Sequence, residues 1–257
     1  MGRRFLSLIV IALSSLWITG EASAQFYKVY GWSTPEQGEV ELVYWTSFIA
    51  SSDLSYQFFD KTVNRDNLWA HSFEVEYGIT DRFTVAAYVD FEDPADASFR
   101  YIRTRAVFFR YRFLEKGQRF LDPAIYVEYY IPSKEYEDYE ELEIRLILEK
   151  DVGDLRVVFN PMFEKKTSGS ESQEGFEFNY AVGFYYRKYH FLQPGIEFHG
   201  ETGEISHFES WDEQKHYIFP TLDLHFGRGM HWHCGVGFGL TDASDKVTFK
   251  SIFSLEF

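Results

Sequence analysis

The stretch YIRTRAVFFRYRF carries four guanidinium groups in one short run, Arg103, Arg105, Arg110 and Arg112. Arginines so close together either hold carboxylates in a fixed geometry or set up a strong local field. Candidate partners are spread along the chain: Glu74, Glu76, Asp90, Glu128, Glu143, Glu149, Glu177 and Glu197, with further bases at Arg145, Arg156 and Arg187. Two kinds of chemistry fit such a set. One is a salt-bridge network that fills a narrow interior, and the other is a transverse field across a small pore; the residue types leave both open.

A second group is Asp223, His225, His231 and His233. Imidazoles two residues apart on a strand, with a carboxylate nearby, could bind zinc or copper. The plainer reading is a set of solvated histidines with no ligand. The whole chain holds only three methionines, which weighs against copper handling, and no cofactor is expected. Hydrolytic chemistry finds little support. In AHSF, His71 and Ser72 are adjacent, so on a strand they point to opposite faces and cannot form a base–nucleophile pair. His207 and Ser210 have no visible third member, and no enzyme is expected.

The elements that must position these groups are strands. RFTVAAYVDF, ELEIRLILEK and FEFNYAVGFYYR alternate apolar and polar residues with period two, and no segment beyond residue 24 shows a convincing helical period. About twelve such segments of roughly ten residues follow one another, the length a tilted strand needs to cross a membrane. They lie near 38–48, 67–78, 82–92, 99–114, 123–132, 139–151, 154–165, 175–188, 191–202, 215–227, 231–241 and 246–257. The apolar faces are rich in Phe and Tyr near the strand ends, as in an aromatic girdle. The pattern predicts an all-β fold, a single transmembrane up-and-down antiparallel barrel. GITDR, LEKGQRFL, DVGD, RKYHF and GRGM read as short periplasmic turns, and the intervening connections as longer extracellular loops, residues 49–66 being the longest.

The ends of the chain agree with export. Arg3 and Arg4, an apolar run from Phe5 to Ile18 and the small residues Ala22-Ser23-Ala24 read as a signal peptide, 1–24, cleaved before Gln25; residues 25–257 form the barrel. Cys234 is the only cysteine, so no internal disulfide forms. A net charge of −15 argues against nucleic acid or an anionic bilayer surface as partner. The expected partners are outer-membrane lipid, a small solute and, during insertion, the barrel-assembly machinery; a monomer is expected.

Two local features of register follow from alternation. Strict alternation cannot put all four clustered arginines on one face, but a β-bulge near Phe108-Phe109 shifts parity by one and would turn them all inward. In LHFGRGMHWHC, partners across a ladder share a face. This favours a three-residue loop at Arg228, Gly229 and Met230, with His225 opposite His233.

The tail KVTFKSIFSLEF resembles the last strand of bacterial outer-membrane barrels, which ends in an aromatic; Phe253, Leu255 and Phe257 would then form the assembly signal, and the strand would close the barrel against the first. FEVEYGITDRFTVAAYVDF and GVGFGLTDASDKVTFKSIFSLEF share a strand, a Gly, a hydrophobe and Thr-Asp. In this they resemble hairpins of the outer-membrane transporter group typified by the meta-pathway phenol-degradation barrels. The resemblance implies passage of small, often hydrophobic, compounds and carries no catalytic or ligand residue onto this chain. The functional expectation is therefore an outer-membrane channel or transporter with a narrow charged lumen. A non-conducting barrel, plugged by ion pairs and serving as an envelope scaffold or receptor, is the alternative, and a lipid hydrolase the third reading. If a pore conducts, inward acids outnumbering inward bases predict weak cation preference.

Overall fold

The computed structural model describes residues 26–257; the expected signal peptide lies outside the described residues. Twelve antiparallel strands close into a barrel: β1 (Val40–Ser51), β4 (Leu68–Thr80), β5 (Phe83–Asp93), β6 (Arg100–Arg112), β7 (Asp122–Pro132), β8 (Glu141–Val152), β9 (Leu155–Lys166), β10 (Glu177–Tyr186), β11 (Leu192–Glu204), β12 (Lys215–Gly227), β13 (Met230–Gly239) and β14 (Val247–Glu256). Each strand pairs with its neighbour in sequence, and β14 returns to β1. A small hairpin, β2 (Ser55–Phe58) and β3 (Lys61–Asn64), sits in the first outer loop.

Period two explains why these segments form this wall. Along β4, Ser72, Glu74 and Glu76 are buried while Phe73 and Val75 stand more than half exposed, so the polar side chains face the interior and the apolar ones face outward. That inversion of the soluble pattern is what a lipid-facing barrel requires. Closure satisfies every edge, which lipid demands. The seam is made by the register Leu42↔Leu255, Tyr44↔Phe253 and Phe48↔Phe249. It ends in reciprocal backbone bonds between Val40 and Phe257, at 2.9 and 3.0 Å.

On one rim two residues separate β4 from β5, β8 from β9 and β12 from β13, while five separate β10 from β11 and nine separate β6 from β7. Loops on the other rim run from sixteen residues, between β1 and β4, to six, between β5 and β6. The first of these folds inward. Tyr56, Phe58 and Val63 of the hairpin pack on Ile49, Leu68, Ala70 and Ile102. Arg65 makes a bidentate pair with Asp245 of the last outer loop, at 3.0 and 2.9 Å. Burial works against the Arg65 charge, but the Asp245 carboxylate outweighs it and raises the Arg65 pKa well above its usual value.

β6 carries the bulge. Val107 pairs with Glu128 and Phe109 with Val127, which leaves Phe108 as the extra residue, turned outward. Arg103, Arg105, Arg110 and Arg112 are consequently all buried. The β12–β13 hairpin differs from the sequence expectation. His225 lies opposite His231 and Asp223 opposite His233, two residues away from the expected pairing. The turn is Arg228-Gly229, both at positive φ (54° and 73°), and an irregularity between His225 and Gly227 absorbs the parity that alternation alone had assigned to a three-residue loop. Gly229 is required here, because a Cβ would meet the Glu256 carbonyl oxygen at 2.3 Å.

Candidate functional site

The interior is not empty. Residues preceding β1 leave the short-turn rim, where the Gln37 amide donates to Asp81, and run up inside the barrel to Phe26, which packs edge-on against Trp45. Tyr27, Val29, Tyr30, Trp32 and Thr34 are all buried along this path. The segment forms no strand pairing; side chains of the wall hold its backbone instead. Asn160 clamps Tyr30 from both sides, accepting from its amide at 2.7 Å and donating to its carbonyl at 3.0 Å. The Trp32 amide donates to Glu149 at 2.7 Å. Arg110 donates to the carbonyls of Gly31 and Ser33, and Lys250 to that of Tyr27 at 2.8 Å. Arg112 and Arg145 lie over the rings of Trp32 and Tyr30, at 4.4 and 4.3 Å.

Around this segment the wall side chains form two charged networks. In the first, Asp90 accepts from Arg103 at 2.9 Å, from Arg105 at 2.7 Å and from Ser72 at 2.5 Å. Arg105 continues to Glu128 at 3.2 Å and stacks on Tyr88 at 4.0 Å. In the second, Glu197 receives Tyr185 at 2.7 Å, contacts His199 at 2.9 Å and His233 at 3.0 Å, and is also bonded by Lys250. Since buried charges survive only when paired, these networks account for the otherwise costly ionic interior.

The other charged residues singled out from the sequence fall as follows. Glu74 accepts from the Trp45 indole at 2.9 Å and Glu76 from Thr84 at 2.9 Å. Glu143 is paired with Arg145 at 2.8 Å. Glu177 is half-buried with Lys166 at 3.6 Å, and Arg156 is half-buried, 3.5 Å from Asp223. Arg187 departs from its expected place on the wall. It lies beyond the end of β10, exposed, and pairs with Asp151 at 3.0 Å on the rim, because the strand stops at Tyr186.

The histidine group also differs from expectation. His225 and His231 meet edge to face at 4.5 Å between ring centres, whereas His233 is drawn to Glu197. Among the described residues no group of three His, Cys, Asp or Glu side chains is placed to hold a metal ion. The register explains this, since the observed pairing divides the imidazoles between two partners. His71 and Ser72 project to opposite sides, Ser72 to Asp90 and His71 to the Tyr44 hydroxyl at 2.8 Å.

Cavities remain toward both rims. The outer one, about 170 Å³, lies among Arg103, Glu128, Glu143, Glu164, Asn179 and Lys215; the inner one, about 410 Å³, among Arg110, Arg156, Asp223, His225 and His231. Lys28 of the internal segment borders both. Sequence reasoning missed the segment and its clamps, Asn160 and Lys250. The available signal was FYKVYGWS, rich in aromatic residues yet outside any predicted strand.

No family model and no curated protein sequence matches the chain. Among solved structures it is similar to the COG4313 outer membrane channel from Pseudomonas putida F1, at 14% identity and TM-score 0.60, over 88% of this chain and 97% of that one. It is also similar to the KdgM porin, at 10% identity and TM-score 0.54, over 84% of this chain and 99% of that one. At such identities the likeness is one of fold, that of an outer-membrane β-barrel.

Proposed function

We propose that this outer-membrane barrel is a channel for small solutes whose lumen is closed at rest by its own N-terminal segment. One observation carries the reading: cavities toward the two rims flank an extended stretch that the wall holds through side-chain bonds and not through strand pairing. A stretch held this way can leave without breaking the barrel, because every strand keeps its neighbours. The fold shared with known channels supports the reading, and the resemblance to phenol-degradation barrels points to small, partly hydrophobic solutes. The Asp90 and Glu197 networks favour a second reading, a barrel filled for rigidity that serves as a scaffold or receptor.

Planar-bilayer recordings of the full chain and of a form lacking residues 26–34 separate the two. The channel reading expects brief, rare openings in the first and a steady conductance in the second. Silence of both proteins across voltages overturns it in favour of the scaffold.

A further inference from the structure

The internal segment, FYKVYGWST, carries a single charged side chain into the lumen, that of Lys28. Lys28 lines the outer cavity and the inner one alike. Other lumen bases lie against carboxylates: Arg105 against Asp90, Arg145 against Glu143 and Lys250 against Glu197. Lys28 does not, since no carboxylate stands within ion-pair distance of its ammonium among the described residues. Rings hold it instead. Its Nζ lies 4.3 Å from the centre of the Trp45 ring and 4.6 Å from that of Tyr30. A cation over a ring face is attracted by the negative charge of the π cloud, so these two faces serve the ammonium as its counter-charge.

The stronger of the two faces is also the better fixed. Trp45 is only 1% exposed, and its indole N–H donates to Glu74 at 2.9 Å. That bond sets the orientation of the ring. A carboxylate accepting from the indole also pushes electron density into it, which strengthens its hold on a cation. Trp45 belongs to β1 and stays with the wall, whereas Tyr30 travels with the segment. Tyr30 also covers the Tyr126 ring of β7, at 4.9 Å between ring centres. Withdrawal of the segment therefore bares two aromatic faces, those of Trp45 and Tyr126, with the Glu74 carboxylate at the edge of the first. Aromatic faces beside a carboxylate are the complement of an organic cation. A small metal ion is the poorer fit, because rings replace little of the water that it would shed.

We propose that the face of Trp45 is a binding site for an organic cation, and that Lys28 fills it as an internal stand-in while the segment is docked. The cavities that Lys28 borders, about 170 and 410 Å³, give room for the rest of a small molecule. A cation arriving from either cavity competes with Lys28 for the same face, so its binding favours release of the segment. As a statement about the solute class, the proposal rests on the channel reading; as a binding site, it stands apart from conduction.

Lys28→Ala in the full chain tests it, because the atoms removed are those of n-propylammonium. Titration calorimetry of the detergent-solubilised protein reads the binding of n-propylammonium chloride, with n-propanol and sodium chloride as controls. Saturable binding to Lys28→Ala is expected, at least tenfold tighter than binding to the parent and at least tenfold tighter than that of n-propanol. Adding Trp45→Leu should weaken it at least tenfold, and Trp45→Phe, which keeps a ring, by less, in barrels whose heat-modified gel mobility is unchanged. Absent binding to Lys28→Ala, equal binding to the parent, or undiminished binding with Trp45→Leu overturns the site. Equal binding of n-propanol, or displacement by sodium at equal concentration, overturns the ligand class. In planar bilayers n-propylammonium should raise the open probability of the parent at least twofold over sodium at the same concentration; no rise in a protein that conducts overturns the stand-in role of Lys28. Conduction without binding to Lys28→Ala refutes this inference and spares the channel. Binding to Lys28→Ala with every form silent supports the site and refutes the channel.

Discussion

Asn160→Ala offers the most direct prediction, because the clamp on Tyr30 is the one place where a single wall residue holds the internal segment in both directions. The side chain is fully buried and makes bonds of 2.7 and 3.0 Å to the Tyr30 amide and carbonyl. Each is worth about 1 kcal/mol net, and leaving either backbone group dry and unpaired adds to the loss. Truncation should therefore weaken docking of the segment by about 2–3 kcal/mol, allowing for some rescue by water. At about 1.4 kcal/mol per factor of ten, the population with the segment displaced rises about 30- to 150-fold. Asn160 takes no part in the strand ladder through its side chain, so the barrel should assemble as before. Single-channel recording reads the effect as open probability at fixed voltage, with unitary conductance unchanged. An open probability within twofold of the parent, in a protein with parental thermal stability, would refute the idea that undocking of this segment limits conduction.

Three further outcomes are expected. Asp90→Ala strips the shared carboxylate from buried Arg103 and Arg105 and should cost about 3–5 kcal/mol in urea unfolding monitored by tryptophan fluorescence; no shift of the midpoint would mean that the network is not structural. Removal of Phe108 abolishes the bulge and turns either Arg103 and Arg105 or Arg110 and Arg112 toward lipid, at about 2–4 kcal/mol for each arginine near the midplane, so folded barrel should vanish from the membrane fraction; normal yield would refute the parity account. Reversal potentials in a potassium chloride gradient should show weak cation preference, given the acidic outer cavity; anion preference would contradict it.

How much of this was legible in the sequence depended on whether a residue sat on a two-faced surface. The twelve wall strands alternate between lipid and lumen, so period two located each within a few residues, and the requirement to keep arginine out of lipid located the bulge. The register of the β12–β13 hairpin was misplaced by two residues because alternation fixes parity alone, and Arg228-Gly229 with an adjacent irregularity satisfies it as well as a longer loop does. The hairpin of β2 and β3 was read as loop, since strands of four residues are too short to show a period. The internal segment escaped for a different reason. Protein surrounds it on all sides, and a stretch with no outward face has nothing to alternate with. The same physics hid the hold of Asn160 and Lys250 on the segment, because what they grip there is backbone, which carries no side-chain signature.

The position of that segment also bears on the order in which the molecule can be made. Its partners are distant in the chain: Glu149 and Asn160 are 117 and 130 residues from the groups they bind, and Lys250 is 223 residues from Tyr27. Lys250 belongs to β14, the strand that closes the seam, so the complete cradle does not exist until the cylinder is shut. Long sequence separation makes such contacts slow to form. The stretch that leads the described chain is therefore among the last to complete its native contacts, and full docking is expected to follow closure of the cylinder. Docking is then a separate, late, unimolecular event, and it should be visible as a slow phase in Trp32 fluorescence after the gel shift of the closed barrel is complete.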